Sequence, residues 1–248
     1  MIKDQKVIVC LPAYNAARTL RKTFNEIPRP LVDEIILVDD ASNDETVSLA
    51  HALGIHHIVR HAENKGYGGN QKTCYKKALE LDADIIIMLH PDYQYNPALI
   101  PSLASLISEK VYAVVLGSRI LGSGALKQGM PLYKYISNRA LTFIQNILLG
   151  QKLSEYHTGY RAYSREIFSR IHLEQFSDDY LFDNQFLSDV IYLGYTVGEI
   201  SCPARYFPEA SSINFQRSLK YGFGVLYTSI LYRLNKWKLC RSAIFHGD

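Results

Sequence analysis

The sequence reads EIILVDDASND from residue 34 to residue 44, and this stretch decides the kind of sheet that the chain forms. An unbroken apolar run from Ile35 to Val38 predicts a strand buried on both faces, as in parallel sheets. The adjacent acids Asp39 and Asp40 follow the run directly. Because ligands of open parallel sheets bind beyond the carboxyl ends of the strands, we expect both carboxylates in a ligand crevice.

The two acids have a second interpretation, in which they only cap the next helix and interact with the positive end of its dipole. Ser42 and Glu45 already have the pattern of a capping box for that helix. We therefore favour the ligand role, in which Asp39 and Asp40 accept hydrogen bonds from a nucleobase or a ribose.

Strand-like apolar runs alternate with helix-like segments on both sides of this stretch. The alternation predicts an α/β fold with a mostly parallel central sheet and helices on both of its faces. The predicted strands are residues 7–11, 34–38, 57–59, 85–89 and 113–116, and the predicted helices are residues 17–27, 44–53, 69–81 and 97–108.

Beyond Gly117 the alternation ends and helices dominate. We find no linker and no internal repeat, so we predict one domain over residues 1–248, with halves at residues 1–117 and 118–248. The predicted elements of the second half are helices at residues 133–149, 181–192 and 218–239 and a strand at residues 197–202.

Charge and cysteine content narrow the class of protein. The formal net charge of the 248 residues is only +3 and no run of Lys or Arg occurs, which argues against nucleic acid as a partner. The four cysteines form no CxxC pair, so we expect buried thiols in a reduced, cytoplasmic protein and no zinc site. No apolar run reaches the roughly 18 residues of a membrane span, and we interpret residues 221–232 as a buried helix in preference to an interfacial one.

Further polar motifs follow the other predicted strands. The first strand runs into Pro12, Tyr14 and Asn15, and the third is followed by a loop with Asn64 and Gly66 that opens a helix. Glycine allows close approach of the backbone, and a helix N-terminus suits an anionic group, although a plain glycine-rich loop has the same composition.

The fourth strand ends in the sequence His90-Pro91-Asp92-Tyr93-Gln94. An acid at the mouth of a central strand, close to a diphosphate, is a suitable ligand for a bridging divalent ion. One acid after a strand is compatible with such a site but does not by itself assign it.

Taken in order along the chain, these motifs resemble family 2 glycosyltransferases. The similarity is strongest to the dolichyl-phosphate mannosyltransferase-like branch. Gly117-Ser118-Arg119 resembles the Gly-Ser-Arg element of that branch, and the run from Thr158 to Tyr163 is similar to its Ser-Gly-Phe-Arg-Ala element. The resemblance covers roughly residues 6–215.

The resemblance implies a GT-A fold with a helical acceptor region, and a donor half (1–117) and an acceptor half (118–248). It implies inverting transfer of a sugar from a UDP- or GDP-sugar with Mg²⁺ or Mn²⁺ as cofactor. Asp92 would bind the metal with His90 and Gln94 beside it, and Arg119 and Arg161 would hold phosphate or acceptor charge. The residues implied at the nucleotide are Pro12, Tyr14, Asn15, Asp39, Asp40, Asn64 and Gly66.

The chain departs from the family pattern at three places. His90 replaces the first acid of the usual Asp-x-Asp, and imidazole suits Mn²⁺ better than Mg²⁺. An arginine expected in the helix after Gly-Ser-Arg is represented only by Lys134 or Arg139. The late basic element of the family is matched loosely, by Arg205 and residues 210–213.

The acceptor is left open between two chemistries. An acceptor hydroxyl needs a general base, for which we expect Asp183, bracketed by Phe182 and Phe186. An acceptor phosphate is already anionic and needs arginines instead. We favour a polyprenyl or dolichyl phosphate, with contact to the inner face of the membrane, over a glycan hydroxyl.

Three further points stay open at this level. A nucleotidyltransferase would need a glycine-rich loop after the first strand, and this chain has no glycine there. A catalytically inactive nucleotide-sugar-binding module is supported only by the replacement of the first acid by His90. His157, before Thr158, is either a site residue or structural.

Overall fold

The computed structural model describes residues 1–122, 124–206 and 215–245. Strands and helices alternate as far as residue 118, and the long helices come afterwards. The strands are β1 (Val7–Ala13), β2 (Glu34–Asp39), β3 (His57–Arg60), β4 (Ile85–Met88), β5 (Val114–Ser118), β6 (Arg161–Ser164) and β7 (Val197–Ser201). The helices are α1 (Ala17–Asn25), α2 (Thr46–Ala52), α3 (Gly66–Glu80), α4 (Ile100–Ser108), α5 (Leu132–Leu149), α6 (Phe182–Tyr192) and α7 (Phe215–Lys236).

The seven strands form one sheet in the order β3-β2-β1-β4-β6-β5-β7. Strand β6 runs antiparallel to both of its neighbours, and the other pairings are parallel. Strands from both predicted halves therefore share one sheet. The predicted α/β class, with the GT-A arrangement of a mostly parallel sheet between helices, is confirmed.

Side chains of the central strand β1 alternate between two apolar cores. Ile8 and Cys10 enter the core on one face, and Val7 and Val9 enter the core on the other. Helices α3, α6 and α7 cover the first face, and α1, α2 and α4 cover the second. All seven residues of β1 are buried, as the continuous apolar run predicts.

Two local predictions were wrong, and one strand was not predicted at all. The missed strand is β6, which is only four residues long, and a run this short carries no clear period. Ser42 does not cap α2; its hydroxyl accepts a hydrogen bond from the backbone N–H of Asn15 instead. Helix α3 begins at Gly66, three residues earlier than predicted.

Helices α5 and α7 pack against each other and expose apolar side chains on their outer surfaces. In α7 the exposed fraction is 71% for Phe223 and 63% for Tyr227, so the interpretation of residues 221–232 as a buried helix was wrong for this face. Among the residues that the structure describes, no helix combines the length and apolar character needed to cross a bilayer. Residues 210–213, the loose match to the late basic element, lie outside the described residues.

Candidate active site

A cavity of about 620 Å³ lies beyond the carboxyl ends of β4 and β5 and is bordered by α5 and α7. This is the edge of the sheet at which the parallel topology predicts a ligand. Predicted site residues from both halves of the chain meet in its wall: His90, Asp92, Gln94, Arg119 and Asp183.

Asp183 is held by side chains of α3. The Tyr67 hydroxyl donates a hydrogen bond to Oδ2 of Asp183 at 2.6 Å, and the Gln71 side-chain amide donates one to Oδ1 at 3.1 Å. Asp183 is only 6% exposed, yet it lines the cavity. Its orientation is therefore set by the two donors from α3.

Tyr67 also links Asp183 to His90. The hydroxyl of Tyr67 lies 3.1 Å from Nε2 of His90, and the two rings stack at an interplanar angle of 9°. Because the hydroxyl proton is directed to Asp183, Nε2 of His90 is the donor in the second bond. Burial lowers the pKa of His90, and the acids Asp92 and Asp183 oppose that shift.

Gly159 permits the close approach of this segment to His90. A Cβ atom at Gly159 would lie 2.6 Å from Nε2 of His90 and 3.1 Å from the Tyr67 hydroxyl. The backbone N–H of Gly159 donates to the Tyr95 hydroxyl at 3.0 Å. Any side chain at position 159 would displace the ring of His90 and the Tyr67 hydroxyl that is bonded to Asp183.

Arg119 follows β5 and forms an ion pair with the fully buried Glu155. Its backbone N–H and Nε donate to Glu155 at 2.7 and 2.9 Å, and Nη2 also donates to the carbonyl of His157 at 2.9 Å. Burial alone would lower the pKa of Arg119, but Glu155 outweighs it and the pKa lies well above the ordinary value. Arg119 therefore lines the cavity as a fixed cation.

Arg161 does not reach the cavity. It is fully buried, and its guanidinium donates to the backbone carbonyls of Thr158, Asp183 and Tyr156 at 2.7, 2.7 and 2.9 Å. Burial would lower the pKa of Arg161, but the charge of Asp183 outweighs burial. The pKa therefore lies above the ordinary value, and Arg161 remains a cation. The structure thus gives Arg161 bonds to the backbone of the site in place of the acceptor contact implied by the resemblance.

The carboxylate of Asp40 organises the loop before α3. Oδ1 accepts from Nδ1 of His61 at 2.7 Å and from the backbone N–H of Lys65 at 2.8 Å. Oδ2 accepts from the N–H of Gly66 at 3.0 Å, and the Asn64 amide donates to the Asp40 carbonyl at 3.1 Å. The carbonyl of Asp178 accepts hydrogen bonds from the N–H groups of Gly68 and Gly69. These backbone donors at the start of α3 therefore have partners within the protein.

The other residues expected at the nucleotide lie at the ends of β1 and β2. Pro12 is buried within β1, whereas Tyr14 is 54% exposed just beyond it. The Asn15 side chain accepts from the N–H of Asn43 at 2.9 Å and so joins the two loops. Asp39 Oδ2 accepts from the N–H of Ser42 at 3.1 Å, while Oδ1 is buried with no hydrogen-bond partner among the described residues. Asp39, not Asp40, keeps an oxygen for a further donor.

Several lining residues were not identified from the sequence. Tyr67 and Tyr180 stack on each other with ring centroids 4.8 Å apart, and both line the cavity. A tyrosine inside a glycine-rich loop was a signal for Tyr67, but nothing local marks the others. They are Tyr95, Tyr180, Tyr206 and Tyr221.

The residues around Asp92 suit a divalent ion that is completed by its substrate. Asp92 and the Gln94 side chain line the cavity, but within the described part of the chain no three His, Cys, Asp or Glu side chains gather into a preformed metal site. Mg²⁺ is commonly bound by one or two carboxylates together with substrate phosphates and water. One carboxylate and an amide oxygen fit that pattern, whereas Nε2 of His90 is already bonded to Tyr67.

The fold and the cavity together define an α/β protein with a candidate ligand site at the carboxyl edge of a mostly parallel sheet. The model of glycosyl transferase family 2 matches residues 8–171, and the chain belongs to this family. The protein is a glycosyltransferase. This confirms the resemblance on which the roles of the site residues were inferred.

Relatives share the branch that the resemblance indicates. The UDP-N-acetylglucosamine–dolichyl-phosphate N-acetylglucosaminyltransferase of Methanococcus voltae is 32% identical over 178 residues, 65% of this chain and 70% of that protein. The undecaprenyl-phosphate mannosyltransferase of Micrococcus luteus is 27% identical over 175 residues, 68% of this chain and 70% of that protein. Both are named for transfer to a polyprenyl phosphate.

The fold also matches glucosyl-3-phosphoglycerate synthase from Mycobacterium tuberculosis, solved in complex with UDP. The TM-score is 0.70 at 19% identity, covering 93% of this chain and 80% of that chain. A second structure of that enzyme, with Mn²⁺, UDP and glucosyl-3-phosphoglycerate, gives a TM-score of 0.66 at 18% identity, covering 92% and 80%. At this identity the likeness shows the fold alone.

Proposed function

We propose that this glycosyltransferase moves a sugar from a UDP- or GDP-sugar to a polyprenyl phosphate at a membrane surface. One observation carries the proposal. A single cavity joins a polar wall, with Arg119, Asp92 and Asp183, to helices α5 and α7, whose outer surfaces are apolar. A phosphate with a long hydrocarbon tail has the same two-part character.

The apolar surface follows the helical period. In α7, Leu219, Phe223, Tyr227 and Ile230 recur at spacings of three or four residues, and all are exposed. Exposed apolar residues on α5 extend the surface: Leu132, Tyr133, Ile136, Phe143, Ile144 and Ile147. We call these residues of α5 and α7 the apolar face.

The charge of the two helices suits an anionic bilayer. Neither α5 nor α7 contains an acidic residue. Amphipathic helices with basic residues and exposed aromatic or leucine side chains lie in the membrane interface, and each basic residue near anionic lipid contributes about 1 kcal/mol. Their basic residues are Lys134, Arg139, Arg217, Lys220, Arg233 and Lys236.

The nucleotide-sugar donor would lie between the loops that follow β1 and β2 on one side and Asp92 on the other. Tyr14 and Asp39 would contact the nucleoside. Asp40 holds the loop that contains Asn64 and Gly66. A divalent ion held by Asp92 and Gln94 would neutralise charge on the departing nucleoside diphosphate. The relative named for UDP-N-acetylglucosamine supports UDP as the nucleotide to test first.

An acceptor phosphate needs placement and no deprotonation. Its oxygen would attack the anomeric carbon from the side opposite the leaving diphosphate, which inverts the configuration. Arg119 and Lys134 would hold the anion in line, while Asp183 orients the sugar. Arg161 acts as a positioning residue, because it fixes the backbone of Asp183 and of the segment before β6.

The rival acceptor is a glycan hydroxyl, which the burial and bonding of Asp183 also suit. Transfer from UDP-N-acetylglucosamine, UDP-glucose and GDP-mannose can be measured to undecaprenyl phosphate and to a lipid that ends in a sugar hydroxyl. We expect transfer to the phosphate, lost in Arg119→Ala and retained in part in Asp183→Asn. Transfer to the hydroxyl alone, abolished in Asp183→Asn, would refute the phosphate acceptor.

A further inference from the structure

His157 presents an unused hydrogen-bonding atom at the cavity. It lies in the segment between α5 and β6 and is one of the residues that line the cavity. Nδ1 lies 2.8 Å from the hydroxyl of Tyr221, which comes from α7. Nε2 is buried and has no hydrogen-bond partner among the described residues. A buried polar atom without a partner costs about 1–3 kcal/mol, so its retention beside a ligand cavity calls for an explanation.

The tautomer of His157 follows from its partner. Burial lowers the pKa of His157 to about 4, so the ring is neutral at pH 7. Burial also raises the pKa of Tyr221, which keeps its phenolic proton. Among the described residues, Nδ1 of His157 is the acceptor that lies within reach of that proton. Tyr221 therefore donates to Nδ1, and the proton of the imidazole resides on Nε2, a buried donor of a residue that lines the cavity.

The surroundings of this donor suit an oxyanion. The carbonyl of His157 accepts from Nη2 of Arg119 at 2.9 Å, so the two residues lie side by side. Lys134 lines the same cavity, and burial together with the charge of Arg119 lowers its pKa, as expected for two cations held near each other. Glu155 balances the charge of Arg119 from the protein side. A neutral N–H donor beside two cations matches an anion with several oxygens.

We propose that Nε2–H of His157 donates a hydrogen bond to a phosphate oxygen of the acceptor, and that Tyr221 is the positioning residue that keeps the proton on Nε2. This inference rests on the proposed function. It gives α7 two roles. The helix carries part of the apolar face, and its Tyr221 also fixes the tautomer of the His157 ring that binds the phosphate. The hydrocarbon tail and the headgroup of one acceptor would thus be sensed by the same helix.

Steady-state kinetics with farnesyl phosphate in detergent micelles test this assignment. His157→Phe keeps a ring without a donor, and we expect the KM for farnesyl phosphate to rise 10- to 100-fold while the Kd for UDP changes less than twofold. Tyr221→Phe should raise that KM by three- to tenfold, and His157→Gln, which retains a donor, should recover part of the loss. Tyr192→Phe, on α6 away from the cavity, is the matched control.

Nitrogen chemical shifts of the His157 ring give a readout independent of turnover. We expect the Nε2–H tautomer in the resting protein and a change at Nε2 on addition of farnesyl phosphate but not of farnesol. If farnesyl phosphate binds equally well to wild type and His157→Phe, the role of His157 is refuted and the proposed function stands. If the wild type does not bind farnesyl phosphate, both are refuted.

Discussion

The hydroxyl of Tyr67 lies 2.6 Å from Oδ2 of Asp183, although 116 residues separate the two in the chain. The bond joins the start of α3 to the start of α6 across the cavity. It also makes Tyr67 the shared neighbour of Asp183 and His90. The orientation of Asp183 therefore depends on a tyrosine that is distant in the chain.

Removing this hydroxyl should slow turnover without affecting nucleotide binding. In Tyr67→Phe the ring still stacks on His90 and Tyr180, but Asp183 loses one of its two donors. A hydrogen bond to a charged group contributes about 1.5–3 kcal/mol, so we expect kcat to fall about 10- to 100-fold. Steady-state kinetics check this, with Tyr180→Phe as a control that removes a hydroxyl from the neighbouring ring. An unchanged kcat in Tyr67→Phe would show that the bond does not hold Asp183 in its working position.

Metal-dependent nucleotide binding should depend on Asp92. In Asp92→Ala the cavity loses the carboxylate that follows β4, and the amide of Gln94 alone is a weak ligand for a divalent ion. Calorimetric titration of UDP and GDP with and without Mn²⁺ should show the Mn²⁺ enhancement lost in Asp92→Ala and kept in Glu109→Ala, an exposed acid at the end of α4. A full enhancement in Asp92→Ala would assign the metal to other residues.

Asp39 and Asp40 should separate into different roles. Both oxygens of Asp40 accept hydrogen bonds within the protein, so Asp40→Asn places an amide N–H against existing donors and should lower the free energy of unfolding by about 1–3 kcal/mol. Asp39→Asn should weaken uridine or guanosine binding more than it lowers stability. Urea unfolding and nucleoside titration of both variants measure this. If Asp40→Asn loses nucleoside affinity at unchanged stability, the nucleoside role belongs to Asp40.

The strands of the sheet, and the acids that follow β2 and β4, could be predicted because both depend on local sequence. Strands β1, β2 and β4 are unbroken apolar runs, and Asp92 lies four residues past β4. The bonds of Tyr67 and Tyr221 could not be predicted, since each depends on how a distant helix docks. Residues 221–232 are apolar around most of the helix, so their period does not show which face is exposed. Arg161 looked like an anion contact because its neighbours match a family motif, while its burial is a property of the folded core.

Stability should fall in acid partly because His157 resists protonation. Its folded pKa of about 4 lies below the unfolded value of about 6.5, so its contribution is complete above pH 6.5 and is lost as the pH falls toward 4. That loss is on the order of 3 kcal/mol at most. In His157→Gln this part is absent, and the unfolding free energy should decline less steeply between pH 6.5 and 4. Equal slopes in urea titrations of both proteins would place the acid sensitivity elsewhere.

Binding to anionic vesicles should depend on the apolar face. Phe223 and Tyr227 are exposed on α7, one turn apart, and inserting a large apolar side chain into the interface contributes about 1.5–3 kcal/mol at full burial. We therefore expect the double substitution Phe223→Gln, Tyr227→Gln to weaken sedimentation with vesicles of phosphatidylglycerol and phosphatidylcholine at least tenfold.

Controls separate insertion from charge and from misfolding. Val111→Gln replaces an exposed apolar side chain just before β5, at the edge of the sheet opposite the cavity, and should bind vesicles like the wild type. Vesicles of phosphatidylcholine alone should bind more weakly, because six basic residues and no acidic residue lie on α5 and α7. Transfer to farnesyl phosphate in micelles reports whether the double variant keeps its fold. Undiminished vesicle binding by an active double variant would show that Phe223 and Tyr227 do not insert into the bilayer and would refute the membrane role of the apolar face on α7.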